Sequence, residues 1–412
     1  MIKIGKPIIE TYQDRVVLKA FIQDEGEQLN EWLWYAVEPE YGHYLCDEVA
    51  DAFVLPMILP ATRSHQDILV EGSMSERLLY NLQNSVLYAA SRTTPYFKSY
   101  DINSQGYCPH IKCGNPVVVD YHGKGVGTGC SLGVDSFMVL LQHYLEPHCP
   151  AGYKLTHLTF FNVGAMGAEA NEAVRESFKR EGTKISSFAE QIGLPVVFGD
   201  SNVHLFYPEH DFNWSHTYRN MGMVLALQKL FGKYLYASGY DLLSFGFDHH
   251  DSAQYEPFLL PHLSTESTEL ISANMVMKRS EKVKYIANYK IVQDNLNVCV
   301  KEQLKNRTES FVKQKYLSRE YDNCGCCMKC ERTLLQLDIL GMLPKFSKVF
   351  NLHAWNREKN KYIGYVLAYR KSDYWFQDIY KSMIENEYKI SFVSRIYSIL
   401  YKPYRYLRRL DK

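Results

Sequence analysis

The sequence predicts an α/β protein: a doubly wound parallel sheet, preceded by an N-terminal α+β region and followed by a cysteine loop that binds metal. Three observations carry this expectation. From about residue 122, short apolar runs alternate with longer helical ones, the rhythm of parallel strands joined by helices. Before that point the apolar runs are short and are broken by Gly, Pro and charged turns. Near the far end, four of the ten cysteines fall in the seven residues CGCCMKC, Cys324–Cys330.

Residues 1–121 form the first expected domain. RVVLKAFIQ, LNEWLWYAVE, DAFVLPMILPA and NPVVVDY are short apolar or alternating segments, and MSERLLYNLQNSVLYAASR is helical by its spacing. No chemical motif stands out in this region. Residues 122–344 form the second domain. GVGTGC reads as a short strand, SFMVLLQHYL as a helix, LTHLTFFNVG as a strand, and AEANEAVRESFKREGTKISSFAEQIG as a helix or a broken pair. LPVVFGDSN is a strand, YRNMGMVLALQKLF a helix and KYLYASGYD a strand. RTLLQLDILGML is helical and is followed by looser chain. Residues 345–412 are a helical tail rich in Arg, Lys and Tyr, a composition that suits a solvated helix packed by its aromatics or a membrane-surface helix.

The 412 residues are 46% hydrophobic, enough for a large core and two or three domains. Lys plus Arg is 46 and Asp plus Glu is 46, so no overall basic field calls for nucleic acid. No apolar stretch is long enough to span a bilayer. The start, MIKIGKPIIETYQD, lacks the apolar core of a signal peptide, so a cytoplasmic protein is expected. A reducing compartment argues against disulfides for the cysteines.

Ligands of parallel sheets bind beyond the carboxyl ends of the strands. The polar strand ends are Ser131–Ser136, Asn162–Gly164, Asp200–Asn202 and Ser238–Asp241. In the first of these, GTGCSLGVDSFMVLL, a glycine-rich turn leads into a helix. The free N–H groups of such a turn and the helix dipole favour an anion, phosphate above all. Ser131 and Ser136 can donate hydroxyls. Asp135 repels phosphate, so it must either orient a donor or help hold Mg²⁺. Taken alone, the cluster also fits an ordinary Ser or Asp helix cap.

The run SLGVDS resembles the S-G-G-x-D-S loop of the PP-loop ATP pyrophosphatases, with Leu132 in place of the first glycine. The resemblance spans roughly residues 122–335. YRNMGMVLALQ before YLYASGYD, and the C-x-x-C-x-x-C spacing of Cys324, Cys327 and Cys330 with Arg332 close behind, look most like the 7-cyano-7-deazaguanine synthase branch. The resemblance implies an adenine nucleotide α-hydrolase-like fold and cleavage of ATP to AMP and pyrophosphate through a substrate adenylate. It places ATP on Ser131, Gly133, Val134, Asp135 and Ser136, with Asn162, Gly164, Ser238 and Gly239 at the neighbouring strand ends. Asp135, Ser136, Arg219 and Lys282 are the expected catalytic groups, with Mg²⁺ accompanying the phosphates.

Three thiols at C-x-x-C spacing ask for a fourth ligand, which tetrahedral zinc needs. By position alone the fourth is Cys326, next door, or Cys299, 25 residues before Cys324 in LNVCV. The resemblance favours Cys299, because that branch also takes a cysteine from an upstream strand end. An iron–sulfur centre would use the same four ligands.

SNVHLFYPEHDFNWSHTYRN gathers His204, His210, His216 and Arg219, of which His216 and Arg219 suit a substrate or phosphate. Lys278, Arg279 and Lys282 could neutralise departing pyrophosphate. Asp241 and Asp251 are candidate Mg²⁺ helpers. The expected protein is an AMP-forming C–N ligase acting on a small-molecule or macromolecular acceptor, with a homodimer compatible. The other readings are a thiolating enzyme that uses Cys326 or Cys130, and a nucleotide-binding regulatory protein whose hydrolysis Leu132 has reduced.

Overall fold

A computed structural model describes residues 1–26, 29–93, 107–165, 172–207, 212–247, 251–299 and 321–410. The chain divides into two compact units. One comprises Met1–Cys130 with Gln142–Met275, the other Ser131–Leu141 with Val276–Lys412.

The first unit is a mixed α/β layer built on one large sheet of eleven strands, most of whose pairings are parallel. The strands are β1 (Ile2–Ile4), β2 (Ile8–Thr11), β3 (Val16–Asp24), β4 (Leu29–Val37), β5 (Ile68–Ser75), β6 (Ile111–Val117), β7 (Gly125–Gly129), β8 (His157–Asn162), β9 (Val196–Ser201), β10 (Phe231–Ala237) and β11 (Glu269–Ala273). Their order is β11-β10-β7-β8-β9-β4-β3-β1-β5-β6, with β2 beside β3. The five strands from β11 to β9 run parallel. Antiparallel pairing of β4 with β9, Tyr35 opposite Ser201, joins them to the N-terminal strands. The expected boundary at 121 falls between β6 at one edge and β7 in the parallel half.

Side chains lock the β4–β9 junction. Asn202 accepts from the Trp34 N–H (2.9 Å) and donates to the Trp32 carbonyl (2.7 Å), and Ser201 Oγ donates to the Trp34 carbonyl (2.7 Å). The polar end of β9, expected to face a ligand, therefore spends Ser201 and Asn202 on holding a neighbouring strand.

DAFVLPMILPA, read as a short apolar segment of a strand-rich region, lies in the helix Asp51–Ser64, with Pro56 and Pro60 inside it. Twelve of its residues, Asp51–Thr62, are buried. A helix covered on all sides shows no 3.6-residue alternation, which is the signal a sequence reading relies on. β11 carries ELISA, a strand that the sequence pattern does not single out.

The second unit is helical. The helix Val134–Leu140 packs on Arg279–Ile286, and Met328–Ile339 packs on Leu352–Tyr369. Tyr374–Glu385 and Phe392–Leu410 complete it, so the region 345–412, read as a helical tail, carries three helices with only short connections between them. Among the described residues no helix is long and apolar enough to cross a membrane.

Candidate functional site

The loop that follows β7 begins with exposed Ser131 and buried Leu132. Leu132 adopts φ +55°, the left-handed conformation that costs an L side chain energy and suits glycine. Its side chain is only 4% exposed and its carbonyl accepts from the Asn297 N–H at 2.8 Å. The residue where the resemblance calls for glycine thus has glycine-like backbone geometry and an inward side chain.

The helix starts at Gly133, and no side chain caps it. The ordinary Ser or Asp cap is therefore not what this cluster builds. Ser136 Oγ donates to the Gly133 carbonyl (3.1 Å) and lies 3.4 Å from Ser131 Oγ, and the Gly133 N–H donates to Ser131 Oγ at 3.3 Å. Val134 is buried on the helix's first turn.

Asp135 is engaged by two cations from the helix Arg279–Ile286. Arg279 Nη1 meets Oδ2 at 2.5 Å, and Lys282 Nζ meets Oδ1 at 3.3 Å. Lys282 is fully buried and the Arg279 side chain nearly so. Burial pushes the Asp135 carboxyl up, but the charges of Arg279 and Lys282, with Arg332 further off, outweigh it and hold the group below the usual carboxylate range. Arg279 Nε is buried and bonds to none of the described residues. Arg332 lies over the Trp375 ring at 4.3 Å. The helix that carries Arg279 and Lys282 is itself held by Asp378, which accepts from the Ser280 N–H (2.9 Å) and Oγ (2.6 Å). Lys278 precedes that helix and donates its N–H to Glu281.

The cysteine centre lies in the same unit. The sulfurs of Cys299, Cys324, Cys327 and Cys330 all lie within 4.8 Å of one another. Cys299 and Cys327 are 4.0 Å apart, Cys324 and Cys330 3.9 Å. Four thiolates at a Zn–S distance of about 2.3 Å would sit about 3.8 Å from each other, so this group could hold a metal ion such as zinc. Backbone N–H groups of Cys324, Cys327 and Cys330 point at sulfurs of Cys299, Cys324 and Cys327 at 3.3–3.4 Å, which favours thiolates. Gly325, at φ +77°, makes the turn; a Cβ there would lie 2.2 Å from the Asn351 carbonyl. Cys326, also buried, has its sulfur 3.8 Å from that of Cys324 but is outside the four-sulfur group. None of the ten cysteines is in a disulfide.

Cys299 follows the helix Lys290–Asn295 in irregular chain rather than at the expected strand end. Asn323, fully buried, delivers it. Asn323 Oδ1 accepts from the Val298 N–H (2.7 Å), and Nδ2 donates to the carbonyls of Leu296 (2.7 Å) and Val349 (3.1 Å). Segment 296–299 therefore touches the glycine-rich loop through Asn297 and the cysteine turn through Asn323. Nothing in the sequence reading singled out Asn323, because its role is a tertiary contact.

In the sheet unit, Asn162 and Asp200 are register partners at the ends of β8 and β9, and Asn162 Nδ2 donates to Asp200 Oδ1 at 2.8 Å. Gly164 lies against Arg219, whose Nη1 would be 2.6 Å from a Cβ at that position. Arg219 is buried and stacks 3.9 Å over the Tyr207 ring. Burial, then Arg219, lowers the His204 pKa. Ser238 is buried, its N–H on the Ala273 carbonyl and its Oγ on that of Tyr240; Gly239 follows it in the turn after β10. Asp241 accepts from Ser244 Oγ.

His216 joins a polar cluster at the end of β10. Its Nδ1 is 3.1 Å from Tyr236 Oη, and its Nε2 is 3.1 Å from Asp251 Oδ1 and 3.2 Å from Ser252 Oγ. Glu256, fully buried, accepts from Thr217 Oγ1 at 2.9 Å. Burial lowers the His216 pKa, yet the hydrogen bond and charge of Asp251 raise it above the ordinary histidine value. From sequence alone His216 and Asp251 suit separate roles; the fold pairs them. His210 lies outside the described residues.

Comparison with protein-family models, curated proteins and solved structures finds no match to this chain.

Proposed function

We propose that the chain is an ATP-using, AMP-forming enzyme of the PP-loop kind, most similar in chemistry to a C–N ligase, with the adenine nucleotide α-hydrolase-like doubly wound fold. The observation that carries this reading is the loop Ser131–Ser136. It opens a helix at an uncapped glycine, carries two hydroxyls, and keeps a carboxylate that gathers Arg279 and Lys282. Loop amides with two cations beside them form an environment for the β- and γ-phosphates and for pyrophosphate as it leaves. Because both Asp135 oxygens meet cations, orienting donors fits it better than binding Mg²⁺.

In the proposed reaction an acceptor carboxylate or amide oxygen attacks the α-phosphorus. The bond from that phosphorus to the bridging oxygen breaks, pyrophosphate carries off the electron pair, and a nitrogen nucleophile then displaces AMP. Arg219, with Asn162, Gly164, Ser238 and Gly239 at the strand ends, is assigned to the nucleotide or acceptor by the same resemblance. Mg²⁺ would supply charge neutralisation on the phosphates. The four thiols suit a closed zinc site with a structural role, since no coordination position is left for a substrate. A thiolating enzyme needs an accessible sulfur, and Cys326 and Cys130 are 0% and 6% exposed, which favours the nitrogen reading.

The test is incubation of the whole protein with ATP, Mg²⁺, ammonium and a panel of carboxylate acceptors, scored for AMP and pyrophosphate. Acceptor-dependent AMP, lost in Ser136→Ala with the melting temperature unchanged, is expected. ATP affinity by calorimetry that is absent in the parent would overturn the reading.

A further inference from the structure

The last helix, Phe392–Leu410, has an inverted amphipathic arrangement. The face it turns toward the helix Leu352–Tyr369 carries Ser394, Tyr397 and Tyr401. Ser391 and Ser394 both donate to Asn360 Oδ1, at 2.7 and 2.9 Å. At Gly364 the two backbones close in: a Cβ there would be 2.4 Å from Tyr397 Cβ and 2.9 Å from the Ser394 carbonyl. The Tyr365 and Tyr401 rings meet edge-on at 5.4 Å.

The opposite face is apolar and open. Phe392 is 77% exposed, Val393 47%, Ile396 42%, Ile399 62% and Leu400 63%. Positions 392, 396, 399 and 400, with 393 beside them, form one continuous stripe at helical spacing. A helix that needed this stripe for folding would turn it inward; here its Ser and Tyr side chains make the fold contact instead.

Charge identifies what covers the stripe. The chain as a whole is neutral, with 46 basic and 46 acidic residues. The helix Phe392–Leu410 nevertheless carries five cations, Arg395, Lys402, Arg405, Arg408 and Arg409, and no acid. A second copy would set this acid-free, positively charged helix against its own like charge. A nucleic acid would use the cations and leave the stripe in water. An anionic bilayer surface satisfies both: acyl chains take the stripe and headgroups take the cations. We propose that Phe392–Leu410 is a membrane-surface helix that docks the protein on anionic lipid. This goes beyond the proposed chemistry and does not depend on it.

The test uses the full chain in a vesicle co-flotation assay. Vesicles of phosphatidylcholine are compared with vesicles containing about one third phosphatidylglycerol, at low and at high salt. Flotation with the anionic vesicles, reduced by salt and weak with neutral ones, is expected. Ile399→Glu with Leu400→Glu changes exposed positions only and should lower partitioning by about 10-fold or more while leaving the melting temperature in place. Arg395→Gln with Lys402→Gln keeps the stripe and should lose the preference for anionic lipid. No flotation of the parent, equal flotation of the glutamate variant, or a stable dimer in sedimentation velocity that the glutamate variant abolishes would each overturn the proposal.

Discussion

Replacing Asp135 by Asn keeps the shape of the side chain and removes its charge. Lys282, fully buried, and Arg279, 7% exposed, then face each other without the carboxylate that balances them. Breaking a buried pair from one side costs about 3–5 kcal/mol, and the lower end applies because the Asp135 side chain is 23% exposed. For a unit of this size that is a fall in melting temperature of roughly 6–12 °C. The carboxyl is held below its ordinary value, so its contribution is present above about pH 4 and is lost as pH falls through the folded-state value. The gap between parent and variant should therefore be wide at pH 7 and close on acidification below about pH 4. With the carboxylate charge gone, the site also attracts anions more strongly, so millimolar pyrophosphate should raise the melting temperature of Asp135→Asn more than that of the parent. The assay is thermal denaturation followed by circular dichroism, with and without pyrophosphate, from about pH 2 to pH 7.5. If the variant melts with the parent at pH 7 and pyrophosphate moves both equally, Asp135 does not hold this cation pair in place.

Metal analysis of purified protein should give about one zinc per chain; Cys299→Ser should lose it and melt well below the parent, while Cys326→Ser keeps both. Brown protein containing iron and labile sulfide would replace zinc with a cluster. Gly325→Ala should cost about 2–4 kcal/mol and reduce metal content, because the new Cβ meets the Asn351 carbonyl in a left-handed turn; full metal retention with an unchanged melt would refute the turn's role. The His216 pKa is raised, so the His216–Asp251 contribution is complete below about pH 6.5 and fades as pH rises through the folded-state value. A proton NMR titration should place His216 above the ordinary histidine value in the parent and bring it down in Asp251→Asn; a parent value at or below 6.5 would contradict the pairing.

Several features of this chain could be read without a fold. The strands β3, β4, β8, β9 and β10 follow from alternating or continuous apolar runs bounded by turns, because side chains in a strand face alternate sides or are buried on both. The cluster Cys324–Cys330 follows from spacing, since two overlapping C-x-x-C units bring sulfurs together through local geometry alone. The loop Ser131–Ser136 is local as well, a turn and a helix start in consecutive residues.

Tertiary structure decided the rest. The helix Asp51–Ser64 hid its type because burial on every side removes the periodic contrast that marks a helix. That β4 pairs with β9 depends on Asn202 reaching the backbone of Trp32 and Trp34, about 170 residues earlier in the chain. Asp135 has no visible partner in sequence; Arg279 lies 144 residues away and reaches it only because two helices pack. Cys299 likewise reaches the other three sulfurs because Asn323 clamps the chain at 296–298. Local propensity and spacing are written in neighbouring residues, whereas charge pairing and the approach of distant backbone segments exist only after the core has formed and excluded water.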